Sequence, residues 1–217
     1  MAKKKNISNQ DIISMYMDYV LEHNRTPHTI YVFAKANNFD EQKFYEHFGS
    51  FDAVEEHVFK AFFDNSLLML EKNEEYQGFD SRNKLLSLYF TFFENLTANR
   101  SYVLYALKDY KSNMKRIKVL SKLKNAFTNY IEHLGIDLID LKQDQLNKIQ
   151  TRGLKETSWL QLLLTMKFWM DDTSPNFEKT DIYIEKSVNT SFDVLDIAPV
   201  RSLIDFGKFI FKEKVKS

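Results

Sequence analysis

Thr29-Ile30-Tyr31-Val32-Phe33-Ala34-Lys35-Ala36, the turn Asn38-Phe39-Asp40, and Phe44-Tyr45-Glu46-His47-Phe48-Gly49-Ser50 form the stretch that decides the fold. Ile30 to Ala36 reads as a short helical segment. Thr26-Pro27 ahead of it reads as an N-cap followed by Pro at the first helical position. Asp40 can cap a second short helix carrying Lys43, Phe44 and His47, which Gly49-Ser50 breaks. Asn38 suits the turn between them, because Asn tolerates positive φ. Ser50 then caps a long helix with Val54, Val58, Ala61, Phe62 and Met69 on one side. Upstream, Ile12, Tyr16, Tyr19 and Val20 give the stripe of a first helix.

Helical spacing continues downstream. Asp80 opens a helix with Leu85, Leu88, Tyr89, Phe92, Phe93 and Leu96 in phase. Two more are expected over 102–109 and 115–133, the second ended by Gly135. Leu141–Lys148 reads as continuous with Leu154–Asp171, Ser174-Pro175 restarts the chain into a helix with Ile184, Val188, Phe192 and Leu195, and Pro199 starts a last one. There are only 5 Gly and 3 Pro, and helical bundles need few turn residues whereas sheets need many. No β-branched alternation, internal repeat or long linker is seen. The fold class is therefore all-α, and 217 residues with 44 % apolar content suffice for a real core.

Composition also removes functions. Without Cys there are no disulfides, thiolate zinc sites or thiol nucleophiles, and a reducing cytoplasm is a compatible location. The Lys3–Lys5 run has no apolar stretch behind it, so no signal peptide is expected. Trp159–Met170 is too short to span a bilayer, and a soluble protein is expected. Net charge is +0, so no global field draws the chain to nucleic acid. Gly stands only at 49, 78, 135, 153 and 207, which rules out a Gly-rich phosphate loop or a nucleophile elbow. His23, His28, His47, His57 and His133 make no metal-spaced pair, and Asp171-Asp172, preceding a cap, reads as structural. Neither an enzyme nor a cofactor is expected.

Three short helices, a long connector and a bundle resemble the layout of TetR-family regulators. The Ala-containing helix, the turn and the Tyr45-x-His47-Phe48-x-Ser50 end resemble the family's helix-turn-helix signature. The resemblance implies a helix-turn-helix head over residues 1–50 and a ligand-binding, dimerising helical body over 51–217. It implies a homodimeric transcriptional regulator responding to an apolar small molecule. A second stretch, Trp169-Met-Asp-Asp-Thr-Ser-Pro-Asn-Phe-Glu-Lys-Thr180, resembles a segment of the coenzyme-Q biosynthesis lipid-binding proteins, which share the TetR fold. That resemblance implies an alternative: a lipid- or isoprenoid-binding accessory protein that has lost DNA binding.

On the regulator reading the DNA contacts are the Lys3, Lys4 and Lys5 arm with Thr29, Lys43, Tyr45 and His47. The charges argue against it. Six cations in residues 1–50 meet six carboxylates, and Asp40, Glu41 and Glu46 surround Lys43 on the reading helix. Phe51 stands where the family usually has a Lys. Leu85, Leu86, Tyr89 and Phe93 would line one wall of an apolar ligand cavity, with Tyr105, Phe127 and Tyr130 opposite; a packed core is the plainer account. Trp159–Met170 is apolar almost all round and must be covered on several sides. The expected dimer interface is Trp159, Leu163, Met166 and Trp169 with Ile184 and Val188. The Lys108–Lys124 run reads as a solvated face or an anionic-surface contact, and the basic last helix as a packed end or a membrane contact.

Overall fold

The computed structural model describes residues 7–107, 118–137, 144–196 and 206–207. Among these residues every regular element is helical. The order is α1 (Asn9–His23), α2 (Ile30–Ala36), α3 (Glu41–Tyr45), α4 (Phe51–Glu71), α5 (Glu74–Gly78) and α6 (Ser81–Ala98). Then follow α7 (Arg100–Ala106), α8 (Ser121–His133), α9 (Asp144–Asp171), a single 3-10 turn (Pro175–Phe177) and α10 (Glu178–Asp196). The Lys3–Lys5 arm, most of the Lys108–Lys124 run and nearly all of the last expected helix lie outside the described residues.

Side-chain caps set the starts of α1, α2, α4, α5 and α6, whereas Asp40, expected to cap α3, stands at its N-cap position without a side-chain cap bond. Ser8 and Asp11 form a reciprocal capping box on α1, with the Asp11 amide 3.2 Å from Ser8 Oγ and the Ser8 amide 2.8 Å from Asp11 Oδ2. Ser50 Oγ accepts the Ala53 amide at 3.2 Å to open α4, and Asp80 Oδ1 accepts the Asn83 amide at 2.7 Å to open α6. Gly135, at φ +77°, closes α8, a conformation costly for any residue with a Cβ. The cap of α2 is Thr29, not Thr26: its Oγ1 accepts the Val32 amide at 3.2 Å. Pro27 is buried ahead of the helix and the Thr26 hydroxyl lies 3.5 Å from that of Tyr16, so this pair is used in packing rather than capping. The described part of the segment expected at 141–148 and the segment expected at 154–171 are one helix, α9, which passes through Gly153 unbroken.

The chain forms two compact units: Met1–Met69 with Phe92–Ala126, and Leu70–Thr91 with Phe127–Ser217. In the first, α1 packs on α7, and Asn95 Nδ2 donates to the Phe62 carbonyl at 3.1 Å, tying α6 to α4. In the second, Tyr89 meets Phe127 edge-on with ring centres 6.3 Å apart, and the Tyr76 and Tyr130 hydroxyls lie 2.9 Å apart. Ser81 Oγ donates to the Leu134 and Gly135 carbonyls at 3.0 and 2.8 Å, fastening the start of α6 to the end of α8.

The α9–α10 junction rests on Asp172. Its Oδ1 accepts from the Ser174 amide and hydroxyl at 2.8 and 2.7 Å, and its Oδ2 from the Thr180 amide and hydroxyl at 2.9 and 2.7 Å. Burial opposes the charge, but these four donors outweigh it and hold the carboxyl down to about 2. Asp171 instead pairs outward with Lys167, so the adjacent carboxylates have separate structural tasks. Because the folded carboxyl titrates below its unfolded value, Asp172 stabilises the fold above about pH 4 and loses that effect as pH falls toward 2. Asp172→Asn is expected to lower the melting temperature at pH 7, with the gap to wild type closing between pH 4 and 2. Thermal unfolding followed by circular dichroism across that range checks this.

Candidate functional site

The head is built around Phe33, which is fully buried on α2. Its ring meets Tyr19, Phe39, Phe44 and Phe51 edge-on at 6.3, 5.8, 6.2 and 5.4 Å. Phe51, in the first turn of α4, also stacks on Tyr16 at 5.5 Å and touches Phe44 at 5.3 Å. Tyr16 then donates to Glu55 at 2.5 Å. Burial, followed by the Glu55 charge, pushes the Tyr16 phenol up, so it stays a neutral donor. α1, α2, α3 and the start of α4 thus share one aromatic core. Phe51 is part of that core.

Between α2 and α3, Asn38 adopts φ 57°, the left-handed turn conformation expected from its side chain. Asn37 Nδ2 caps the end of α2 by donating to the Phe33 carbonyl at 2.9 Å. The outward faces of the two helices carry Tyr31, Val32 and Tyr45, exposed at 57, 48 and 55 %, together with Gln42 and Glu46.

The candidate DNA contacts fare differently. Tyr45 is exposed, with its hydroxyl 3.5 Å from Glu41 Oε1. Lys43 is half-buried and bound by Glu46, its Nζ 3.0 and 2.8 Å from the two carboxylate oxygens. His47 Nε2 donates to the Ile7 carbonyl at 3.0 Å, so this ring fastens the start of the chain to the end of α3. Thr29 is exposed, and its hydroxyl is engaged as the α2 cap. Over residues 7–50 three cations (Arg25, Lys35, Lys43) oppose six carboxylates, so this part of the head is net negative.

Among the residues expected to hold an apolar ligand, Leu85, Leu86, Tyr89, Phe127 and Tyr130 belong to the second unit, and Phe93 and Tyr105 to the first. Leu85, Tyr89, Phe93 and Phe127 are buried; Leu86, Tyr105 and Tyr130 are half-buried.

The expected interface residues are placed on an inner face. Trp159, Met166, Trp169, Ile184 and Val188 are buried within the protomer, and Leu163 is half-buried. The outer face of α9 and α10 presents Leu160, Leu164 and Ile182, each more than half exposed at 54, 51 and 51 %. Phe168 stacks on Tyr183 at 4.5 Å beside them. These residues line an open, largely apolar groove of about 640 Å³, with Gln161, Ser187 and Ser191 on its floor and Lys179 and Lys186 at its edges. The all-round apolar run at 159–170 was the sequence signal for this surface. Helical phase alone does not say which side the protomer covers for itself.

A second cleft, of about 420 Å³ between α8 and the start of α9, is lined by charged side chains including Glu132, Lys148, Arg152 and Lys155. Among the described residues no group of three or more acidic or His side chains is placed to hold a metal. None of their helices is long and apolar enough to cross a membrane.

Residues 84–210, more than half of the chain, match the family described as tetracyclin repressor-like, C-terminal domain, and the chain belongs to it. The all-α architecture is that of a TetR-like protein. No curated protein matches the chain.

The turn gives a direct check on the head geometry. Asn38→Gly is expected to be close to neutral, since Gly adopts φ 57° freely, whereas Asn38→Val should cost about 1–2 kcal/mol. Chemical denaturation of the three proteins measures both.

Proposed function

We propose that the protein is a homodimeric, ligand-responsive transcriptional regulator. The observation that carries this is a helix–turn–helix with a capped α2, a left-handed Asn turn and an outward α3, in a chain of the tetracyclin repressor-like family. α3 would enter the major groove with α2 across the backbone, and the two heads of a dimer would meet half-sites about one helical turn apart. Buried Leu85, Tyr89 and Phe127 give the body an apolar interior, which suits an apolar effector rather than an ionic one.

The dimer would form through the outer face of α9 and α10. Three large aliphatic side chains exposed in one groove are unfavourable to leave in water. A two-fold contact would cover the same patch on both copies. Native mass spectrometry of freshly purified protein is expected to give a dimer mass, with added mass where an apolar ligand has co-purified. Leu164→Arg or Ile182→Arg should yield monomer, because an unpaired guanidinium resists desolvation there. A monomeric wild type would contradict the reading.

Asp40, Glu41 and Glu46 on and around α3, against Lys43 alone, support a second reading, a lipid-binding accessory protein of the same fold in which the head no longer binds DNA. DNA selection separates the two. On the regulator reading, immobilised protein enriches discrete genomic fragments at low salt. Glu46→Gln, which releases Lys43, then tightens binding by about threefold or more, an advantage that fades as salt rises. Recovery of no enriched fragment would favour the accessory-protein reading.

A further inference from the structure

The chemistry of α3 narrows what a DNA partner would look like. Side chains read bases in the major groove by matching donors to acceptors: Arg and Lys donate to guanine O6 and N7, Gln pairs with adenine N6 and N7, and carboxylates accept from the cytosine N4 amino group. Lys43 is the single cation on α3, and its ammonium is held by both oxygens of Glu46. What α3 turns outward instead is the Gln42 amide and the Tyr45 phenol, with the Glu41 carboxylate beside that phenol at 3.5 Å. His47, the other nitrogen donor at this end of the helix, is engaged with the Ile7 carbonyl.

This set is rich in acceptors and poor in cationic donors. We propose that α3 reads DNA through exocyclic amino groups, adenine N6 at Gln42 and cytosine N4 at Glu41 with Tyr45 as the positioning partner of that carboxylate, and not through the acceptor edge of guanine. The inference rests on the regulator reading above. It adds the class of base edge recognised and the residues that recognise it. It also gives the acidic surroundings of α3, namely Asp40, Glu41 and Glu46, a use. Carboxylates repel phosphates without regard to sequence, so they weaken binding to all DNA alike. One of them at an amino group restores binding only where the right base stands, so the carboxylates on and around α3 raise the ratio of specific to non-specific affinity.

Sequence enrichment by itself cannot identify the edge, because every G·C pair offers both guanine acceptors and a cytosine amino group. The test therefore uses modified bases. A randomised duplex library is selected on the full-length protein at low salt. The enriched duplex is then remade with N6-methyladenine, with N4-methylcytosine or with 7-deazaguanine at each contacted position. The first two put a methyl on the amino donor while retaining a base pair; the third removes the guanine N7 acceptor. Affinity is expected to fall about tenfold or more with a methylated amino group and to change less than twofold with 7-deazaguanine. Glu41→Gln, checked for a wild-type melting curve, should bind random duplex more tightly and lose most of the discrimination against N4-methylcytosine. Gln42→Ala should lose that against N6-methyladenine. If binding tolerates both methylated bases and fails with 7-deazaguanine, the inference is overturned and the regulator reading stands. If no duplex is enriched at all, the regulator reading falls and takes the inference with it.

Discussion

Phe51 is the side chain on which the head depends. Placed in the first turn of α4, it touches Tyr16 of α1, Phe33 of α2 and Phe44 of α3, so one ring joins the connector to every helix of the head. α2 and α3 are 7 and 5 residues long, far below the length at which an isolated helix persists in water. Their order comes from this aromatic packing, assisted by the Thr29 cap and the Asn38 turn. The first turn of α4 is thus in direct ring contact with α1, α2 and α3.

The same position sets an electrostatic constraint. A cation there would add a phosphate contact; an aromatic adds core instead. With three cations against six carboxylates, residues 7–50 would supply little counterion release to a DNA partner. On the proposed regulator reading, binding to DNA would draw on shape, on the outward Tyr31, Val32 and Tyr45, and on contacts to base edges. The acidic surroundings of α3 tell against tight non-specific binding more than against recognition as such.

Much of this was legible in the sequence, for reasons that are local. Ser50, Asp80 and Gly135 mark helix ends because a cap or a left-handed glycine acts within a few residues, and the structure places each where the sequence predicts. Asn38 belongs to the same class. The family resemblance drawn from the Tyr45–Ser50 motif agrees with the match over residues 84–210. Tertiary choices were less legible. Thr26-Pro27 has the form of a cap, yet packing takes it and leaves capping to Thr29. His47 looks like a groove residue until a carbonyl 40 residues earlier claims its ring nitrogen. α5, at 5 residues, is too short to show any periodicity. On α9 and α10 the apolar phase was clear, but Ile184 and Val188 are interior while Ile182 faces outward, because burial depends on the neighbouring helix rather than on the pattern.

The central claim is that the α2–turn–α3 surface is the part of this chain that meets DNA. Hydrogen–deuterium exchange measured by mass spectrometry, with and without genomic fragments at low salt, tests it whichever base sequence is bound. The account predicts slowed exchange concentrated over residues 29–48, with the outer face of α9 and α10 unchanged between the two samples. Unchanged exchange over 29–48 in the presence of saturating DNA, or protection confined to the body, would contradict it.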